Sequence, residues 1–72
     1  MSMRAKIDYG MYHTICDFEE PEELSEEFIE FPGLLITIVK IYDKLEVVHA
    51  IDDQGKNMTS ELAPYTLNIK YL

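Results

Sequence analysis

Residues 34–42 read LLITIVKIY, and this stretch carries the strongest strand signal in the chain. Alternate side chains of an extended strand point to opposite faces. Both faces of this one are apolar, with Leu34, Ile36 and Ile38 on one and Leu35, Val39 and Ile41 on the other. Strands of this kind occur at the centre of a sheet or where both faces of a sheet are covered. The stretch therefore predicts a strand that is central in a sheet or is covered on both sides.

Four further segments show the two-residue alternation that is typical of half-buried strands. They are residues 3–9, 11–18, 45–51 and 65–72. Short connections at Gly10, at residues 43–44 and at residues 52–56 predict hairpins, and hairpins pair their strands antiparallel. In the segment 45–51, the alternation predicts that His49 shares a face with Val47 and Ile51 and is partly buried.

Residues 19–31 separate the second strand from the central one and predict an amphipathic helix of two to three turns. Pro21 suits the first turn of a helix, and acids there stabilise its positive end. At the helical spacing, Leu24, Phe28 and Phe31 fall in one stripe that is roughly 60° wide. Pro32 and Gly33 would then end the helix. The rival interpretation is an irregular acidic loop that leads into a strand.

These elements predict an α+β fold with the order β-β-α-β-β-β. Its strands form a mostly antiparallel five-stranded sheet or a small curled barrel, and one acidic amphipathic helix covers a face. A chain of 72 residues fits a single domain over residues 1–72. Residues 58–63 are ambiguous and include a candidate helical turn capped by Thr59 or Ser60. The order of the strands within the sheet stays open.

The formal charge of −8 is concentrated in one segment. Residues 17–30 contain eight acids and no base, whereas the other six acids and the six bases of the chain cancel. Clustered charge accelerates association with a partner of opposite sign and disfavours acidic competitors. The segment is therefore the candidate binding site for a basic partner, and its candidate residues are Glu19, Glu20, Glu22, Glu23, Glu26, Glu27 and Glu30. The alternative is a solvated surface that only keeps the protein soluble.

The residues that could carry catalysis are few. Cys16 and His13 are three positions apart, so on one strand they point to opposite faces and cannot form a nucleophile–base pair. One cysteine and two histidines give no metal-ligand spacing, and the three isolated glycines form no phosphate-binding loop. The sequence therefore predicts no catalytic residue, no metal and no cofactor, and a protein that is not an enzyme.

Charge and hydropathy also exclude some partners. Direct nucleic-acid binding needs clustered Lys and Arg, and anionic membranes repel an acidic surface. No apolar run reaches the roughly 20 residues of a membrane span, and no secretory signal precedes Asp8. A single cysteine is typical of a reducing compartment, so the expected location is the cytoplasm.

Three hypotheses of function follow. The first is a small protein-binding or regulatory module that docks a basic partner through residues 17–30. The second is a structural homo-oligomer, such as a homodimer, that forms by edge-strand pairing through Tyr65, Leu67, Ile69, Tyr71 and Leu72. The third is an inhibitor that mimics nucleic acid, of the kind that phages encode, with carboxylates in place of phosphates.

Overall fold

A computed structural model describes residues 3–72 of the chain. Six strands and one short helix form two layers. In chain order they are β1 (Met3–Tyr9), β2 (Tyr12–Phe18), β3 (Glu26–Phe31), β4 (Leu34–Ile41), β5 (Lys44–Asp52), α1 (Thr59–Leu62) and β6 (Leu67–Tyr71). Sheet A has the strand order β2-β1-β6, and sheet B has the order β3-β4-β5. All pairings between these strands are antiparallel.

The predicted fold class is therefore correct only in outline. Antiparallel strands with little helix are confirmed, but the single five-stranded sheet is wrong, and the two sheets do not close into a barrel within residues 3–72. A single domain over residues 1–72 stays a prediction, and its residues 1 and 2 lie outside the described part of the chain. No helix in the described part is long and apolar enough to cross a membrane.

The inward faces of both sheets contribute to one cluster of buried apolar side chains. Ile7 on β1 and both Ile36 and Ile38 on β4 are its largest fully buried members. Burying a side chain of this size contributes about 1.5–3 kcal/mol. The stretch at residues 34–41 is thus confirmed as a central strand, because β4 lies between β3 and β5. Only one of its two apolar faces is buried.

The predicted acidic helix is wrong, and a strand takes its place. The helical stripe required Leu24, Phe28 and Phe31 to be buried together, but Leu24 is 74% exposed and Phe28 is 58% exposed. Strand alternation instead buries Ile29 and Phe31. A helix of two to three turns is marginal by itself, whereas β3 gains a full ladder with β4 from Glu26↔Val39 to Phe31↔Leu34.

The turn between β3 and β4 explains why Pro32 and Gly33 favour the hairpin. Proline presets the backbone angle of the first central residue of a type II turn, and the second central residue needs a positive φ. Gly33 has a φ of 83°. The same two residues that were expected to end a helix therefore connect two strands.

Residues 19–25 form the irregular acidic loop of the rival interpretation. The Leu24 N–H donates to the Lys40 carbonyl at 2.7 Å, and the Ser25 N–H donates to the Glu22 carbonyl at 2.9 Å. Leu24 adopts a φ of 66°, which bends the chain there. The Lys40 Nζ lies 3.0 Å from the Glu20 carboxylate. These contacts hold the loop against the end of β4.

An irregularity in β5 changes the position of His49. Thr37 pairs with His49 but Ile38 pairs with Val47, so Val48 is an extra residue on β5. Such a bulge reverses the alternation beyond it. Val47 is therefore on the inward face, while His49 is exposed on the outward face with Ile51. The prediction that His49 shares a face with Val47 and is partly buried is wrong.

Candidate protein-binding face

The outward side chains of sheet B follow from the strand register. They form three rows across β3, β4 and β5: Glu26–Val39–Glu46, Phe28–Thr37–His49 and Glu30–Leu35–Ile51. These nine residues are named the Phe28 face. The face combines the carboxyl-terminal half of the acidic segment with the outward side of the central strand.

Four apolar side chains lie around the central residue of the Phe28 face, Thr37, and are accessible to solvent. Leu35 is 39% exposed, Phe28 is more than half exposed, and Val39 and Ile51 are half-buried. Apolar side chains that are grouped on the surface of a small protein mark a site of interaction. On β4, the apolar side chains of the inward face are buried in the core, while Leu35 on the outward face is exposed to solvent.

Carboxylates lie on two sides of this apolar strip. Glu26 and Glu30 flank Phe28 along β3, and Glu46 lies across the sheet on β5. The ion pairs found among residues 3–72 do not neutralise them, because those pairs join Arg4 to Asp17, Lys40 to Glu20 and Lys56 to Glu61. The electrostatic character of the face is therefore negative.

A recess of about 550 Å³ adjoins the face between β2 and β3. Its charged lining consists only of carboxylates, from Asp17, Glu19, Glu27 and Glu30. Phe28 also borders the recess, so the recess and the Phe28 face share an edge. Glu27 pairs with the fully buried Ile38 and thus starts from the inward side of β3, but its side chain reaches solvent.

The seven candidate residues lie in different parts of the structure. Glu26 and Glu30 lie on the Phe28 face, and Glu19, Glu27 and again Glu30 line the recess. Glu20 is paired with Lys40, and both Glu22 and Glu23 are exposed on the loop. The structure does not place all seven on one surface, because strand alternation sends neighbouring side chains of β3 to opposite sides.

Sequence analysis missed the apolar half of the face. Leu35 and Val39 fall in the predicted central strand, and Ile51 falls in the predicted strand at residues 45–51. Neither these three residues nor Glu46 belongs to the predicted binding site. The sequence does contain a signal for this apolar half, namely the second apolar side of residues 34–41. It was interpreted as a side that the chain covers by itself with the acidic helix, and that helix does not form.

The residues that could carry catalysis stay apart, as the sequence predicted. His13 pairs with Asp8 and is exposed on the outward face of sheet A, whereas Cys16 pairs with Ala5 and is partly buried on the inward face. Within the described part of the chain, no three His, Cys, Asp or Glu side chains are grouped as a metal site would require.

Comparison with known proteins gives this chain no relatives. No family model, no curated protein and no solved structure matches it.

Proposed function

We propose that this protein is a small binding module that docks a basic partner protein on the Phe28 face. The observation that supports this most is the coincidence of two features on one surface, an open apolar strip on β4 and the carboxylates of Glu26 and Glu30 beside it. The apolar strip supplies affinity, and the carboxylates select a partner that carries Lys or Arg around an apolar centre.

Both the apolar side chains and the carboxylates of the Phe28 face contribute to the free energy of binding. Phe28 is 58% exposed, so a partner that covers it gains only the corresponding part of the about 1.5–3 kcal/mol for burying such a side chain completely. Carboxylates that the partner covers add to affinity as well as to the rate of association, because losing one side of a desolvated charge pair weakens the complex. A second copy of the chain is a poor occupant of this face, because it would bring Glu26, Glu30 and Glu46 of one copy against those of the other.

The test is affinity capture from a native lysate with three immobilised proteins. The first is the unmodified chain, the second carries Glu26→Gln and Glu30→Gln, and the third carries Glu22→Gln and Glu23→Gln. The second and third lose the same charge, but only the second alters the Phe28 face. We expect a partner that the first and third proteins retain and the second loses.

Two further measurements on the same captured partner test its dependence on ionic strength and on the Phe28 side chain. Raising the ionic strength to 1 M shortens the screening length to about 3 Å and should release most of it. Phe28→Ser should also reduce capture, although its charge is unchanged. A partner that persists in 1 M salt and ignores Phe28→Ser, or that all the variants retain equally, contradicts the proposal.

A further inference from the structure

A second groove lies at the other pair of sheet edges, between β5 and β6. It consists of two cavities of about 340 and 430 Å³ that share the lining residues Leu45, Glu46 and Leu67. The first reaches Tyr71 and the second reaches Tyr65. The groove therefore extends along the whole of β6. It is named the β5/β6 groove.

On the side away from β1, the backbone of β6 presents hydrogen-bonding groups to this groove that no other described strand pairs with. The Leu72 N–H donates to the Arg4 carbonyl at 3.0 Å, and the register continues as Lys6↔Lys70 and Asp8↔Asn68. Hydrogen-bonded pairs alternate along an antiparallel ladder. The amide groups of Lys70 and Asn68 consequently point to β1. The amide groups that point into the groove are those of Leu67, Ile69 and Tyr71.

The edge of β5 is already half occupied by the chain itself. The Ala50 N–H donates to the Thr59 Oγ1 at 2.9 Å, and the Met58 N–H donates to the Ala50 carbonyl at 2.7 Å. The Asp52 N–H donates to the Lys56 carbonyl at 2.9 Å. Residues 56–59 thus lie against the carboxyl-terminal half of this edge in the position of an added strand.

The other half of the β5 edge has no such cover in the described residues. Ile41 and Lys44 close the two-residue turn between β4 and β5, and the closing pair of such a hairpin is hydrogen-bonded. Alternation from this pair directs the amide groups of Leu45 and Val47 away from β4. They face the β5/β6 groove opposite those of β6.

The side chains of the groove suit an extended apolar segment. Leu45, Val47, Leu67 and Ile69 pack against the core but are only partly buried. Tyr65 and Tyr71 stand at the two ends and are 51% and 38% exposed. A five-residue strand such as β6 is about 17 Å long. A partner segment of similar length fills the groove.

The charge at the Tyr71 end specifies the sign of the partner. Glu20, Asp43, Glu46 and Lys44 line this end. Lys40 pairs with Glu20 at 3.0 Å, so three acids and two bases leave a net charge of −1 here. Burial, followed by the negative charge of Glu20, raises the pKa of the Tyr71 phenol, while Lys40 acts in the opposite direction. The phenol therefore stays protonated and able to donate a hydrogen bond. These features favour a segment with Lys or Arg beside its apolar residues.

We propose that the β5/β6 groove binds an extended basic segment of another protein by strand addition, with backbone hydrogen bonds to the free edges of β5 and β6. Recognition of this kind combines main-chain pairing with pockets for alternate side chains. The groove shares Glu46 with the Phe28 face but none of its apolar residues, so substitutions at Phe28 and at Tyr71 test the two proposals separately. A second copy of this chain is disfavoured as the occupant by its own charge of −8.

The test uses a nine-residue peptide of alternating valine and lysine, acetylated and amidated, titrated into the full chain and followed by amide chemical shifts. We expect the largest shifts at Leu45, Val47, Leu67, Ile69 and Tyr71, with slower hydrogen exchange of the same amides. Two control peptides should not bind. One carries N-methyl groups on alternate residues, and the other has glutamate in place of lysine.

Two variants locate the site. Tyr71→Ala should weaken the binding of the valine–lysine peptide by about tenfold, and Phe28→Ser should leave it unchanged. The proposal is overturned if millimolar peptide shifts none of the five amides, if the shifts map to the Phe28 face, or if the N-methyl peptide binds equally well. It is also overturned if sedimentation finds a dimer whose groove amides are protected without peptide, since a second copy would then be the occupant.

Discussion

The two sheets have the same number of strands and share one core, but their outward faces differ. Sheet A presents charges of both signs on its outward side, from Arg4, Lys6, Asp8, Asp17 and Lys70, with Ile15 exposed among them. Sheet B presents the apolar strip and the carboxylates of the Phe28 face. Mixed charges are typical of a surface that only faces water. The difference teaches that the net charge of this protein is less informative than its distribution over two similar layers.

If the two sheets differ only in their outward faces, substitutions on their inward faces should destabilise the protein to a similar extent. Ile7 in sheet A and Ile36 in sheet B are both completely buried. Each substitution, Ile7→Ala or Ile36→Ala, should lower the free energy of unfolding by about 2–5 kcal/mol, because it removes apolar contacts and leaves a cavity. Urea unfolding of the two variants measures this. If only one of the two variants has a lower free energy of unfolding, the two layers do not share a single cooperative core.

The hairpin turns of the two sheets should differ in their tolerance of a side chain. Gly10 in sheet A and Gly33 in sheet B both have positive φ, which costs an L-residue roughly 1–2 kcal/mol. A Cβ at Gly10 would lie 3.1 Å from the ring of Tyr65, whereas a Cβ at Gly33 meets nothing within 4 Å. Gly10→Ala should therefore lower the midpoint of thermal unfolding more than Gly33→Ala does. Equal shifts would mean that the Tyr65 ring moves aside at no cost.

Alkaline pH should act first on sheet A, because Tyr9 is buried on its inward face and donates a hydrogen bond to the Leu62 carbonyl at 3.0 Å. Burial raises the pKa of the Tyr9 phenol above its ordinary value of about 10. The phenol therefore loses its proton less readily in the folded chain than in the unfolded one.

The stability that Tyr9 contributes is complete below the unfolded pKa and is lost as the pH rises through the folded pKa. Urea unfolding at pH 8 and at pH 11 should show this decline, and Tyr9→Phe should make the decline smaller. A Tyr9→Phe protein with the same decline as the unmodified chain would assign the pH dependence to other groups.

The smallest effects on stability should come from the outward faces, where the largest effects on binding are expected. Phe28→Ser and Ile15→Ser each remove a side chain that is more than half exposed, 58% and 52%. Both should change the free energy of unfolding by less than about 0.5 kcal/mol. Only Phe28→Ser should reduce the binding of an apolar fluorescent dye, since Ile15 stands alone among charges. An equal reduction by both variants would remove the distinction between the two faces.

Several elements could be predicted because local pattern decides them. Alternation predicts β1 at Met3–Tyr9 with the observed bounds, and β4 within one residue. The candidate helical turn at residues 58–63 is present as α1, but the Thr59 hydroxyl bonds to Ala50 on β5 and does not cap it, and the Asn57 side chain accepts from the Thr59 N–H instead. The acidic segment as a binding site stays a prediction; two of its residues, Glu26 and Glu30, lie on the Phe28 face.

The helix at residues 19–31 could not be excluded from the sequence. The spacing of Leu24, Phe28 and Phe31 fits a helical stripe, and the spacing of Ile29 and Phe31 fits a strand. Local propensity does not separate them. Pairing with β4 decides between helix and strand. That pairing forms only when the Pro32–Gly33 turn brings β3 beside β4.

The sequence by itself determined five of the six strands, all but β3, together with the concentration of charge in residues 17–30 and the separation of His13 from Cys16. Each of these depends on alternation or counting within a short stretch. Only the tertiary structure decided that two sheets form, that Val48 is an extra residue, and which apolar side of β4 stays open. Those outcomes depend on contacts between distant strands, where burial and backbone pairing outweigh the preferences of any one segment.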